Sequence, residues 1–361
     1  MMLNQIISHY KILAGKEIKM KSYNRVASIV LFALLAMQSA KGQSVQKFAE
    51  LGDFRLESGE IIRECRIGYR TFGELNHEKS NAVLFTTWFI GTTADLVDLI
   101  GPGKLVDSSK YFVIAVDAFG NGVSSSPSNS KLQPGPKFPQ FSIRDMVNVQ
   151  HELLMRELKI KHLYAVTGIS MGGMQIFQWM VSYPEFMDKA IPIIGTPRQT
   201  SYDLLFWQAQ LNAIEANRNC ETGENRAMQV VAAILSLAFQ TPSYFASHIT
   251  PEGFGQFLAE VEKNLMRLNV NDVAWQIKAM MNLDVYKSFG GSKEQTAGAV
   301  RARVLVIVSQ QDHIVNPAPS QELAKLLKVE TVILSGDCGH DVFACDGDKL
   351  RAAVTQFLNK Y

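Results

Sequence analysis

Leu163-Tyr164-Ala165-Val166-Thr167-Gly168-Ile169-Ser170-Met171-Gly172-Gly173 runs from five residues suited to a buried strand straight into a serine framed by glycines. Met174, Phe177 and Val181 then recur at helical spacing before Pro184. The stretch reads as strand, sharp turn, helix. A turn that tight leaves no room for side chains two residues before and two residues after the serine, which accounts for Gly168 and Gly172. It also pushes the Ser170 hydroxyl into the open at a helix N-terminus, where unpaired N–H groups and the helix dipole favour developing negative charge.

Short apolar runs recur on both sides of this turn, with helical stretches between them. Ala82 to Phe85, Tyr111 to Asp117, Ala190 to Ile194, Arg303 to Val308 and Thr331 to Leu334 join Leu163 to Thr167 as buried strands of a mostly parallel sheet covered on both faces. Phe54 to Leu75 alternates as an opening antiparallel pair. Ser142 and Asp145 start a crossover helix carrying Met146, Val149, Leu153 and Leu158. Pro127 to Pro139, with four prolines, reads as a surface loop.

About a hundred residues separate the strands near Ile194 and Arg303, far beyond an ordinary βα connection. Tyr202 to Ala216, Arg226 to Phe239, Phe254 to Leu268 and Asp272 to Leu283 have helical patterns there. Helices inserted at that point would roof the carboxyl ends of the strands, where α/β sheets bind ligands. The expected organisation is an α/β-hydrolase fold: a mostly parallel central sheet of about eight strands with helices on both faces and a helical lid insertion. Its core takes residues 43–200 and 299–361 and its lid 201–298.

A serine hydroxyl is a poor nucleophile at neutral pH and needs a histidine base, itself fixed by a carboxylate. On this fold the chain order is Ser, acid, His. Of seven histidines, only His248, His313 and His340 follow Ser170. His248 falls in the insertion and His313 adjoins a strand end, whereas His340 stands in Gly339-His340-Asp341, after the last strand and before a final helix from about Asp346 to Lys360. His340 is the expected base. Val304-Leu305-Val306-Ile307-Val308 leads into Asp312, the expected acid, with Asp337 and Asp341 as rivals nearer the base in sequence. The oxyanion of an acyl-transfer intermediate takes two backbone N–H donors, one from Met171 and one from the loop after strand Ala82 to Phe85. Phe89 is the choice in that loop and Trp88 the next.

The chain of 361 residues is 47% hydrophobic and 19% charged, the balance of a globular protein with a large core. Residues 1–42 read as an export signal with a possible start at Met20: Lys21 and Arg25 are basic, Val26 to Met37 is apolar, and Ala40-Lys41-Gly42 is a cleavage site. The apolar run is short for a bilayer span, so no stable membrane anchor is expected. That segment holds six Lys or Arg and one Glu, against 36 basic and 34 acidic residues in the whole chain, so the remainder is slightly acidic. A polyanion finds no basic field there, and nucleic acid is not an expected partner. Cys65, Cys220, Cys338 and Cys345 lack metal-ligand spacing, so no metal is expected. Cys338 and Cys345 either pair in an oxidising compartment and brace the His340 loop, or stay as two free thiols.

Asn81-Ala82-Val83, Gly101-Pro102-Gly103-Lys104, Tyr111-Phe112-Val113-Ile114, Ile143-Arg144-Asp145-Met146-Val147, Ser170-Met171-Gly172-Gly173-Met174-Gln175 and Gly339-His340-Asp341 carry a more specific likeness. Through them the chain resembles the homoserine O-acetyltransferase family of α/β-hydrolase-fold acyltransferases. The resemblance implies a Ser170, Asp312 and His340 triad, a helical lid and a homodimer formed through it.

Three stretches depart from that family's pattern: Ala118-Phe119-Gly120-Asn121-Gly122-Val123-Ser124, Asp312-His313-Ile314-Val315-Asn316-Pro317, and Gln208-Ala209-Gln210-Leu211-Asn212, where an arginine suited to an amino-acid carboxylate usually stands. Acetyl-CoA and homoserine are moreover cytosolic, out of reach of an exported enzyme. The expectation is an exported serine esterase acting on a small-molecule ester with no cofactor. O-acyl transfer, with acetyl-CoA as co-substrate, is the alternative, and a non-catalytic ligand-binding module is the rival of another class.

Overall fold

The computed structural model describes residues 44–218 and 222–360. The export-signal reading of residues 1–42 and Cys220 lie outside the described residues.

Among the described residues nine strands form one sheet. Strands β1 (Lys47–Arg55) and β2 (Ile61–Phe72) make an antiparallel pair at its edge. The others are β3 (Ala82–Thr86), β4 (Phe112–Val116), β5 (Leu163–Ile169), β6 (Met187–Ile193), β7 (Arg303–Val304), β8 (Val306–Ser309) and β9 (Thr331–Leu334). They lie in the order β1-β2-β4-β3-β5-β6-β8-β9, with the two-residue β7 beside β6. Every pairing from β4 to β9 is parallel. Arg303 to Val308, expected as one strand, is broken at Leu305, whose N–H turns to the Ala190 carbonyl at 3.0 Å.

Side chains alternate across the sheet as a two-residue period demands. On one face Ala82, Leu84 and Val166 pack with Met146 and Val149 of helix α1 (Ile143–Glu152) and with Met174 and Phe177 of helix α2 (Met171–Ser182). On the other, Val83, Phe85, Ala165 and Ile307 pack with Leu350, Val354 and Phe357 of the last helix, Val342–Asn359. That helix begins four residues before the expected Asp346, which instead marks a kink at φ −116°. Helix α1 starts at the Ser142 and Asp145 capping box, worth about 1 kcal/mol.

Among the described residues, six α-helices lie between β6 and β7: α3 (Ser201–Asn217), α4 (Gly223–Phe239), α5 (Pro242–His248), α6 (Phe254–Leu265), α7 (Val270–Met281) and α8 (Lys293–Ala299). After β8 come α9 (Ala318–Leu327) and then the last helix, α10. The short α5 had no periodic signature; Thr241 caps it and Pro242 opens it.

Asp272 ties α7 to the proline-rich loop, accepting from the Ser128 N–H at 2.9 Å and from its hydroxyl. Burial pushes its pKa up from 3.8 to about 6, against these hydrogen bonds. Between those two values the folded chain keeps a proton that the unfolded chain has lost, so this group costs stability as the pH rises through the window. The cost is on the order of 3 kcal/mol above pH 6. Urea unfolding of the wild type and Asp272→Asn should therefore show the wild type losing ground steadily from pH 4 to pH 6 and no further by pH 7. A pH-independent difference would contradict this assignment.

Candidate active site

Strand β5 ends at Ile169 and helix α2 begins at Met171, leaving Ser170 alone in the turn. Its backbone stands at φ 58°, ψ −120°, a conformation that costs a non-glycine residue about 1–3 kcal/mol. Two hydrogen bonds hold it there: the Ser170 N–H donates to the Ile193 carbonyl and the Met174 N–H to the Ser170 carbonyl, each at 2.9 Å. A Cβ on Gly168 would come within 2.5 Å of the Gly172 carbonyl carbon, and one on Gly172 within 2.7 Å of the Thr86 oxygen. Both glycines are there because β3 and the start of α2 press on the turn.

His340 reaches this serine from the loop between β9 and α10. Gly339, at φ 66°, turns the chain, the Ser309 hydroxyl holds the Gly339 carbonyl at 2.6 Å, and the His340 N–H donates to the Phe239 carbonyl of lid helix α4 at 2.9 Å. The imidazole Nε2 lies 2.9 Å from Ser170 Oγ and its Nδ1 lies 2.7 Å from Asp312 Oδ2. A carboxylate accepts and does not donate, so Nδ1 carries the proton and Nε2 is left to accept from the serine. The Asp312 side chain is 1% exposed. Its other oxygen takes the N–H groups of Ile314 at 2.8 Å and Val315 at 2.9 Å, which fixes the carboxylate plane.

The rival acids lie elsewhere. Asp337 is exposed at the surface, beside the disulfide that Cys345 forms. Asp341 is buried beside the cavity, where burial pushes its carboxyl up against a 3.3 Å hydrogen bond from Gln240 and the nearby His340. Cys338 and Cys345 are joined as a disulfide, with Cα atoms 5.8 Å apart, and so staple the His340 loop to the first turn of α10.

Ser170 and His340 open into a cavity of about 170 Å³. An apolar void of roughly 150 Å³ accepts a benzene ring, so this one suits a small acyl or alkoxy group. Core loops supply Trp88, Phe89 and Ile314, and the lid supplies Trp207, Phe239 and Val261. None of the lining residues is Lys or Arg.

Phe89 stacks edge-on against Trp207, ring centroids 5.3 Å apart, at the cavity wall. Among the described residues no protein acceptor takes the Phe89 N–H. Met171 occupies the first position of α2. Two buried residues bear on the site through contacts that the sequence does not show. Asp203, which forms the capping box of α3 with Thr200, also accepts from the Asn316 N–H at 3.1 Å, so a lid helix holds the Asp312 loop. Burial, with Asp312 nearby, raises its pKa against those bonds. Gln276 of α7 reaches the loop after β3. Both contacts link positions more than a hundred residues apart, and only a fold reveals them.

The sheet order and the sharp turn after β5 agree with a family match: residues 100–344 fit the model of the alpha/beta hydrolase fold. The chain belongs to the α/β-hydrolase family. This α/β hydrolase is 32% identical to the ethyl acetate hydrolase of Pseudomonas veronii over 283 residues, 73% of this chain and 79% of that one. It is 30% identical to the homoserine O-acetyltransferase of Methanococcoides burtonii over 353 residues, 85% of this chain and 72% of that one. Among solved structures, an acetyl esterase superposes with a TM-score of 0.83 at 28% identity, covering 88% of this chain and 97% of that one. The likeness to homoserine O-acetyltransferases read from the sequence motifs is thus borne out, and esterases stand beside them. An α/β hydrolase with relatives of both kinds is an enzyme, a hydrolase or an acyltransferase.

Proposed function

We propose that this α/β hydrolase is an exported esterase that cleaves small esters through an acyl-Ser170 intermediate. The observation that carries the reading is the apolar cavity over Ser170 and His340, which offers no cation to the carboxylate of an amino-acid acceptor. Ser170 Oγ attacks the ester carbonyl carbon while His340 Nε2 takes its proton, and Asp312 steadies the imidazolium. The N–H groups of Met171 and Phe89 hold the oxyanion. Collapse breaks the bond to the alkoxy oxygen, which leaves with the proton from His340. Water then attacks the acyl carbon, His340 takes its proton, and the carboxylic acid departs as Ser170 recovers its hydrogen. Nothing in this cycle calls for a cofactor or metal.

The disulfide at the His340 loop supports export, because such bonds persist in oxidising compartments. A homodimer through the lid belongs to the same proposal and is supported by exposed Tyr202, Leu205 and Leu237 on α3 and α4.

The relative from Methanococcoides burtonii favours a second reading, acetyl transfer from acetyl-CoA to a hydroxyl acceptor. Purified protein given p-nitrophenyl acetate or acetyl-CoA, with and without homoserine, separates the two. Free acetate should exceed O-acetylhomoserine at least about tenfold with either donor, since water meets the acyl-enzyme unopposed. O-acetylhomoserine as the main product would decide for transfer.

A further inference from the structure

The loop that follows β3, Trp88-Phe89-Ile90-Gly91, belongs to no helix or strand, yet its conformation is special. Ile90 stands at φ 56°, a left-handed backbone that disfavours a β-branched side chain. Such a residue persists only where its surroundings over-determine it. The contact that does so comes from the lid. Gln276, fully buried on α7, accepts the Ile90 N–H on its Oε1 at 2.7 Å. Its Nε2 donates to the Phe119 carbonyl, in the loop after β4, at 2.8 Å. Asn121 of that second loop donates in turn to the Gly91 carbonyl at 3.0 Å. One buried amide thus joins two core loops to a lid helix, through one accepted and one donated hydrogen bond, both to backbone.

We infer that Gln276 is a positioning residue: by fixing the peptide after Phe89 it aims the Phe89 N–H at the oxyanion, so that the donor is in place only while α7 is docked. The inference rests on the acyl-Ser170 reading, in which that N–H is one of two donors. A donor displaced by about an ångström loses most of its worth in the transition state and little in ground-state binding. Lid and oxyanion site are therefore coupled through this side chain.

Gln276→Met keeps the length of the side chain and removes both hydrogen bonds. Its kcat on p-nitrophenyl acetate should fall roughly 10- to 100-fold with KM within about threefold. The inhibition constant of phenylboronic acid should rise in parallel. That probe adds its boron to Ser170 Oγ as the serine proton passes to His340, giving a tetrahedral adduct whose oxygen occupies the oxyanion site. Gln276→Glu supplies a second readout that does not depend on the first variant folding. A protonated carboxyl accepts from Ile90 and donates to Phe119 as the amide does, whereas the ionised form repels the Phe119 carbonyl. The ratio of its kcat to that of the wild type should rise as the pH is lowered from 8 to 5.5.

Wild-type boronate affinity in Gln276→Met, or a pH-independent ratio in Gln276→Glu, would overturn the inference even if kcat fell. Failure of the underlying reading looks different, since a wild type that phenylboronic acid does not inhibit has no acyl-accepting Ser170 to position against.

Discussion

Asp312→Asn is expected to lower kcat on p-nitrophenyl acetate by roughly 10³- to 10⁴-fold while the thermal midpoint stays within a few degrees. The reason is the set of hydrogen bonds around that carboxylate. One of its oxygens takes two backbone N–H groups, from Ile314 and Val315, and that position demands an acceptor. An asparagine therefore turns its carbonyl oxygen to the backbone and its amide nitrogen to His340. Facing a donor, Nδ1 must accept, and the ring proton moves to Nε2. A protonated Nε2 donates to Ser170 and has no lone pair for its proton, so the base is disarmed without being displaced. Asp337→Asn, outside this arrangement, should keep kcat within about threefold. Steady-state kinetics of the two variants read out the acid directly: full activity in Asp312→Asn would remove it from that role.

Much of this fold was legible because the chemistry of its parts is local. Continuous apolar runs such as Ala82 to Phe85 fit only strands covered on both faces, and the glycines around Ser170 fit only a turn pressed by its neighbours. The order Ser, acid, His and the strand ahead of each loop then pointed to His340, and to Asp312 over its rivals Asp337 and Asp341. The fold brings His340 and Asp312 into one hydrogen-bonded line with Ser170. What stayed hidden depends on contacts between distant segments. The break at Leu305 falls inside a run that is apolar throughout, so hydrophobic pattern gives no sign of it, and α5 is too short for periodicity to register. Whether Cys338 meets Cys345 turns on the path of a loop. The backbone N–H proposed as a donor at Phe89 has no side-chain signature, and neither does the glutamine that holds its loop from nearly two hundred residues away.

Ser170→Ala is expected to show the largest loss of all, roughly 10⁴- to 10⁶-fold in kcat, because it removes the atom that carries the acyl group in the proposed cycle. The fold should survive it. Both hydrogen bonds that hold the strained turn are made by the Ser170 backbone, and alanine keeps them. The oxyanion donors and the cavity also remain, so a residual rate above that of water alone should persist, and substrate should still bind with KM little changed. If KM rose instead while kcat held, Ser170 would be a binding group and the acyl-enzyme would have no seat. The most direct measurement follows the covalent bond itself: mass spectrometry of wild type and Ser170→Ala after exposure to a fluorophosphonate. The account predicts one phosphonyl group on the wild type, on the peptide that contains Ser170, and none on the variant. Undiminished labelling of the variant, or an adduct on another residue of the wild type, would contradict it.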